Sequence, residues 1–258
     1  MTTGLLGMPD PTAQDSDAPG AIEIVVRRLH RARGDIAGRI VFTTSFGLED
    51  QVLTHCIAQS GLTGGIAFAT LDTGRLFPEV YDLWAETEAR YGVSIAGFHP
   101  DHAAVEALVR SDGVNGFKTS PDRRRQCCAV RKLAPLERAL AGAAGWLTGL
   151  RAAQSQARAT VALFQPDPER NLVKVNPLHD WSRDDALGAA RANGVPLNPL
   201  HARGFASIGC APCTRAIAPG EPERAGRWWW ERDAARECGL HLGPDGRLSR
   251  AAGGATAS

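Results

Sequence analysis

Five short apolar runs recur along the chain, Ile40–Thr44, Ile66–Leu71, Val93–Phe98, Trp146–Thr148 and Leu172–Val175, each bounded by Gly, Pro or polar residues. They lack clear alternation, as expected for strands buried on both faces of a parallel sheet. Helical signals fill the gaps at Ala21–Arg33, Glu49–Gln59, Pro78–Tyr91, Ala103–Ser111, the stretch after Cys128 to Leu140, and Asp184–Asn193. Ser182, with Asp185 three residues on, forms a near capping box for the last helix, which ends at Gly194. Strand–helix alternation of this kind predicts an α/β fold: a doubly wound, mostly parallel sheet with helices on both faces and right-handed crossovers. Ligand is then expected where strands end and helices begin. Beyond Asn198 the pattern becomes irregular, rich in Gly, Pro, Arg and Cys, and reads as a Cys-containing C-terminal tail or lid over the sheet. Residues 1–20 and 243–258 are expected to be a disordered leader and tail, leaving one domain over 21–242.

Composition narrows the function classes. A length of 258 residues suits one sizeable α/β domain. With 29 basic against 28 acidic residues, no general attraction to nucleic acid or to an anionic membrane is expected, so anion binding must be local. No run approaches the roughly 18 apolar residues of a membrane span, and Met1 to Gly20 lacks the blocks of a secretory signal. The chain therefore reads as cytoplasmic, where a C-x-x-C favours metal binding or redox catalysis over a structural disulfide.

The six cysteines carry the candidate chemistry: adjacent Cys127 and Cys128, a C-x-x-C at Cys210 and Cys213, Cys238 in a Glu-Cys-Gly-Leu-His stretch, and an isolated Cys56. Four thiolates suit tetrahedral zinc as well as iron. Zinc modules normally space each ligand pair so that both sulfurs turn to one ion, whereas a [4Fe–4S] cube offers four separated corners to neighbouring cysteines. Cys238 stands apart, with Gly239 supplying flexibility and His241 a cation or hydrogen bond that would favour the reactive thiolate. Cys56, on an apolar helix face, reads as a small buried hydrophobe.

Two turns at the predicted ligand edge are candidates for holding an anion or a sugar. Ser45-Phe46-Gly47 leads straight into a helix, where backbone N–H groups and a hydroxyl can approach a phosphate. Leu71-Asp72-Thr73-Gly74-Arg75 supplies a further carboxylate and Gly at the same edge. Arg123-Arg124-Arg125 reads as a solvated charge run. Trp228-Trp229-Trp230, read as helical, points its rings in separate directions and suits packing the tail onto the body better than stacking on nucleic acid.

Taken in order with Cys127-Cys128-Ala129-Val130-Arg131-Lys132, Leu147-Thr148-Gly149-Leu150-Arg151, Ser207-Ile208-Gly209-Cys210-Ala211-Pro212-Cys213-Thr214-Arg215 and Glu237-Cys238-Gly239-Leu240-His241, these turns make the chain resemble the adenylyl-sulfate and phosphoadenylyl-sulfate reductases. Those reductases belong to the wider group of adenine nucleotide alpha hydrolase-like proteins. Leu48-Glu49-Asp50-Gln51 departs from the ATP-using members of that group, which carry a Lys to hold the triphosphate. The resemblance implies a [4Fe–4S] cluster on Cys127, Cys128, Cys210 and Cys213, with Cys238 as nucleophile. It also implies substrate contacts from Ser45, Gly47, Leu71, Asp72, Gly74, Arg75, Lys132, Arg151, Arg224, Arg227 and His241, with Arg158 a further candidate. The implied reaction is reduction of adenosine 5′-phosphosulfate to sulfite and AMP through an S-sulfocysteine that thioredoxin or glutaredoxin resolves. A homo-oligomer is compatible with the chain. The rival readings are a phosphoadenylyl-sulfate reductase, an ATP-using RNA sulfur transferase, and a non-catalytic zinc module with four cysteine ligands.

Overall fold

The structure, a computed structural model, describes residues 20–231; the expectations for the chain ends and for Cys238 and His241 lie outside the described residues. The elements run α1 (Ala21–Asp35), β1 (Ile40–Thr44), α2 (Leu48–Gln59), β2 (Ile66–Leu71), α3 (Pro78–Tyr91), β3 (Ile95–Phe98), α4 (His102–Asp112), α5 (Pro121–Cys128), α6 (Ala134–Leu140), β4 (Gly145–Leu147), β5 (Phe164–Asp167), β6 (Leu172–Val175) and α7 (Arg183–Ala192). They build one six-stranded sheet in the order β3-β2-β1-β4-β6-β5. All pairings are parallel except that of β5 with β6. The winding reverses at β1, which pairs with β2 on one side and β4 on the other, so the C-terminal ends of β1 and β4 flank a natural ligand crevice.

Burial on both faces explains the near-continuous apolar character of the strands. Ile40 and Phe42 pack with Leu29, Val52, Leu53, Leu83 and Ala186 from α1, α2, α3 and α7. Val41, between them, packs on the opposite face with Leu136, Ala139 and Leu140 of α6 and with Trp146. Each such apolar side chain contributes about 1.5–3 kcal/mol on burial. The capping box on α7 is complete: Ser182 Oγ accepts from Asp185 N (3.1 Å), and Asp185 Oδ2 accepts from Ser182 N (2.8 Å). Among the described residues no helix is long and apolar enough to cross a membrane.

Four expectations are corrected. The helix expected after Cys128 begins earlier, at Pro121, where Ser120 Oγ accepts from Arg123 N (3.2 Å) and proline occupies the first turn. Cys127 and Cys128 therefore sit in its last turn, and the chain widens into a π-helical turn at Ala129–Leu133 before α6. Strand β5 was not foreseen. Arg124 is not solvated: it is 2 % exposed and pairs with Glu231 at 2.5 Å, while Arg123 and Arg125 are exposed as expected. The three tryptophans form no helix; Trp228 is buried with φ of 44°, whereas Trp229 remains 39 % exposed.

Candidate active site

The turn after β1 is built by side chains that satisfy its own backbone. Thr44 Oγ1 accepts from Phe46 N (3.0 Å), and Phe46 adopts the left-handed region at φ of 57°. That conformation costs about 1–2 kcal/mol for a residue with a Cβ, which burial of its ring against Trp84 (5.7 Å between centroids) offsets. From the first turn of α2, Asp50 Oδ2 accepts from both Ser45 N (2.6 Å) and Ser45 Oγ (2.7 Å). Burial pushes the Asp50 carboxyl up to about 6 against the pull of those two bonds. Burial alone would also raise Glu49, but the Arg151 charge and the bonds from Arg151 and Gln154 hold it below the usual carboxylate range.

This turn opens onto a cavity of about 200 Å³ at the C-terminal ends of β1, β2 and β4. Its walls include Thr44, Ser45, Thr70, Leu71, Thr148 and Gly149 from the strand ends, with Ser207–Cys210 and Glu223, Arg224 and Arg227 from the C-terminal segment. Lys132, Arg158, Arg224 and Arg227 bring four cations to it; Glu49, Asp50 and Glu223 bring three carboxylates. Arg227 donates from Nη1 to the Ile208 carbonyl (3.3 Å), and its buried Nε has no hydrogen-bond partner. The Arg227 guanidinium lies 4.7 Å from the Trp228 ring centroid and that of Arg124 lies 4.6 Å from it.

A second, smaller cavity gathers all four paired cysteines, Cys127, Cys128, Cys210 and Cys213, with Arg75, Arg124, Arg131 and Lys132 around them. Lys132, Cys210 and Trp228 border both cavities, so one wall separates the cysteines from the larger space. Thr73 Oγ1 lies 3.3 Å from Cys210 Sγ, and the Thr73 carbonyl accepts from Arg131 Nη1 (2.8 Å). Burial opposes ionisation of Cys210, yet Lys132, the Thr73 bond, Arg227 and Arg131 bring its thiol below the ordinary value. Burial and the neighbouring Cys210 push Cys213 up to about 11. Among the described residues no three His, Cys, Asp or Glu side chains converge on a position for a single metal ion.

The model of the phosphoadenosine phosphosulfate reductase domain matches residues 39–216. The chain belongs to that reductase family. It is 54 % identical over 207 residues to the adenosine 5′-phosphosulfate reductase of Rhizobium meliloti, covering 80 % of this chain and 77 % of that one. It is 50 % identical over 202 residues to the protein of the same name from Allochromatium vinosum, covering 78 % of each. The crystal structure of phosphoadenylyl-sulfate reductase from Candida auris shares the fold, with a TM-score of 0.63 at 23 % identity over 78 % of this chain and 98 % of that one.

In this reductase the expected site residues divide into three groups. Ser45, Gly47, Leu71, Lys132, Arg224 and Arg227 line the larger cavity, as does Arg158. Asp72, Gly74 and Arg75 do not. Asp72 Oδ1 instead accepts from Gly74 N (2.8 Å) and Tyr81 Oη (2.9 Å), shaping a turn in which Gly74 takes φ of 68°. Arg75 reaches to the Val114 carbonyl (2.7 Å) and Asn115 Oδ1 (3.0 Å), and its own carbonyl accepts from Ala211 N (2.8 Å) to seat the C-x-x-C loop.

Arg151 is the third case. Its side chain is fully buried behind the cavity wall, with Nε donating to Glu49 Oε1 (2.8 Å) and Nη2 to Glu223 Oε1 and Oε2 (2.8 and 2.9 Å). It ties α2 to the C-terminal segment rather than lining the cavity. Sequence reasoning missed the roles of Asp50, Gln154 and Glu223. Asp50 registered only as part of a stretch lacking Lys, and Glu223 carried no signal beyond its neighbour Arg224.

Proposed function

We propose that the chain reduces adenosine 5′-phosphosulfate to sulfite and AMP in assimilatory sulfate reduction, within a reducing cytoplasm. The observation that carries this reading is the shared wall of Lys132, Cys210 and Trp228 between a strand-end cavity rich in Arg and Lys and a cavity ringed by four cysteines. Nucleotide fits the strand-end crevice of such a sheet. The Lys132, Arg158, Arg224 and Arg227 cations suit the two acidic groups of the phosphosulfate, and charge-assisted bonds of this kind contribute about 1.5–3 kcal/mol each. The names of the relatives point to the substrate without a 3′-phosphate.

In this mechanism the Cys238 thiolate attacks the sulfur of the phosphosulfate. A sulfur–sulfur bond forms as the bond from that sulfur to the phosphate oxygen breaks, and AMP leaves with the electron pair. Cations around the phosphosulfate offset the repulsion between thiolate and sulfate oxygens and stabilise the departing phosphate. A thiol of thioredoxin or glutaredoxin then attacks Cys238 Sγ, sulfite departs, and the second donor thiol closes a disulfide that frees Cys238. The dithiol supplies both electrons.

The donor set fits a [4Fe–4S] cluster. Four thiols border one cavity, the number of ligands that a group with four metal corners takes, and Arg75, Arg124, Arg131 and Lys132 around them would offset its negative charge. When bound, the group supplies a fixed anionic charge beside Lys132. Lys132 itself borders the nucleotide cavity and orients the anionic end of the substrate. The test is anaerobic turnover with a dithiol donor on both adenylated sulfates. Sulfite release favouring adenosine 5′-phosphosulfate, from brown protein holding about four irons per chain, is expected; preference for the 3′-phosphorylated form, or full activity with one zinc, contradicts the reading.

A further inference from the structure

Gly209, in the Ile208-Gly209-Cys210 stretch, has no part in the proposed chemistry, yet its missing side chain leaves a space that another residue fills. A Cβ built there would lie 2.7 Å from Arg227 Nη1 and nearer still to Cζ and Nη2. The three atoms nearest to that Cβ all belong to the Arg227 guanidinium. Gly209 does not adopt the left-handed backbone region, so its conformation does not itself require glycine. Arg227 is held there on one side by the Ile208 carbonyl (3.3 Å) and on another by the Trp228 ring (4.7 Å). It is 6 % exposed, and its Nε is buried without a hydrogen-bond partner. A buried cation with spare donors, lining a cavity, is poised for an anion.

We propose that Gly209 is a positioning residue for anion binding: by lacking a side chain it lets the Arg227 guanidinium lie flat against the 208–210 segment and face the nucleotide cavity. This inference rests on the proposed reading of that cavity as the adenylated-sulfate site. Placing a methyl group at residue 209 forces the end of a flexible side chain to move and leaves the backbone unstrained. Gly209→Ala therefore folds and displaces Arg227.

The test measures binding of AMP and of uncharged adenosine by calorimetry to anaerobically purified protein, for wild type, Gly209→Ala, Arg227→Ala, the double variant and Gly188→Ala. Gly188 lies in α7 with no atom within 4 Å of its added Cβ, so its variant is the control for a tolerated glycine. Gly209→Ala should weaken AMP about tenfold or more, the loss of one charge-assisted bond, and leave adenosine within about twofold. The double variant should bind AMP no more weakly than Arg227→Ala, because both changes remove the same contact. Wild-type affinity for AMP in Gly209→Ala overturns the inference, as do equal losses for AMP and adenosine, additive losses in the double variant, or a melting temperature lower than wild type by more than about 10 °C, a general loss of packing at this chain size. Wild-type protein that binds neither ligand overturns the reading of the cavity and the inference with it.

Discussion

Removing the Glu231 carboxylate should be among the most costly single changes in the described residues. Arg124 and Glu231 are 107 residues apart and meet at 2.5 Å with side chains 2 % and 5 % exposed, so neither charge has bulk water as an alternative partner. Arg124 also lies over the Trp228 ring, and Glu231 N donates to the Trp228 carbonyl (2.9 Å), so the pair clamps the C-terminal segment to the cysteine-bearing helix α5. Truncating one partner of a buried pair costs about 3–5 kcal/mol, chiefly from the charge left behind. For a chain of this size each kcal/mol lowers the melting temperature by about 2–4 °C. Glu231→Ala should then melt about 6–20 °C below wild type, as the product of those two ranges. Arg124→Met with Glu231→Leu, which removes both charges and refills the space, should recover much of the loss. Thermal melts of the anaerobic protein followed by circular dichroism provide the assay. A shift under about 2 °C for Glu231→Ala, less than 1 kcal/mol at this size, refutes the argument, and so does a double variant as unstable as the single one.

Further outcomes follow from single residues. Asp50 titrates near 6 in the fold, above the ordinary aspartate near 4, so its neutral form is favoured by folding and its contribution to stability falls as pH rises from about 4 through 6. Asp50→Asn should remove that fall, about 3 kcal/mol between pH 4 and 7, and urea unfolding that shows a constant gap between the two proteins across that range contradicts it. At Gly226 an added Cβ would strike the backbone carbonyl of Arg215, with the Ile217 side chain 3.2 Å away, so Gly226→Ala must open the Thr214–Arg227 bridge. It should lose about 1–3 kcal/mol, and a variant that melts with wild type counts against that packing.

The parts of the fold set by local pattern were legible in the sequence, and the parts set by distant partners were not. All five parallel strands fall within the predicted runs or a residue of them, because each is apolar between Gly, Pro or polar boundaries; burial on two faces accounts for this in β1 and β4, while β3, at the sheet edge, leaves Ala96 and Gly97 exposed. Strand β5 escaped because Phe164-Gln165-Pro166-Asp167 is half polar and carries a proline, which an antiparallel edge tolerates and a central strand does not. Spacing keeps adjacent Cys127 and Cys128, and Cys210 and Cys213 of the C-x-x-C, together within each pair; the meeting of the two pairs was expected from the family resemblance alone, and the fold brings them to one cavity. Arg124 and Arg151 look like solvated or ligand-binding arginines until Glu231, Glu49 and Glu223 arrive from elsewhere in the chain to bury them. Asp72 was read as a cavity residue because it sits at the correct strand end. Only the fold reveals that Tyr81 and the Gly74 amide donate to its Oδ1 while Oδ2 faces His99 Nδ1 at 3.4 Å.

The central claim, that a cysteine thiolate takes the sulfite group from the nucleotide, is tested most directly by a single half-turnover. Wild-type protein incubated anaerobically with adenosine 5′-phosphosulfate and no dithiol should release about one equivalent of AMP per chain, as one covalent step requires. Mass spectrometry of the digested protein should find the added sulfite on the peptide containing Cys238. Cys238→Ser should keep its iron and give neither product. An adduct on Cys56 or on a member of the four-cysteine group, or sulfite formation by Cys238→Ser at the wild-type rate, contradicts the account.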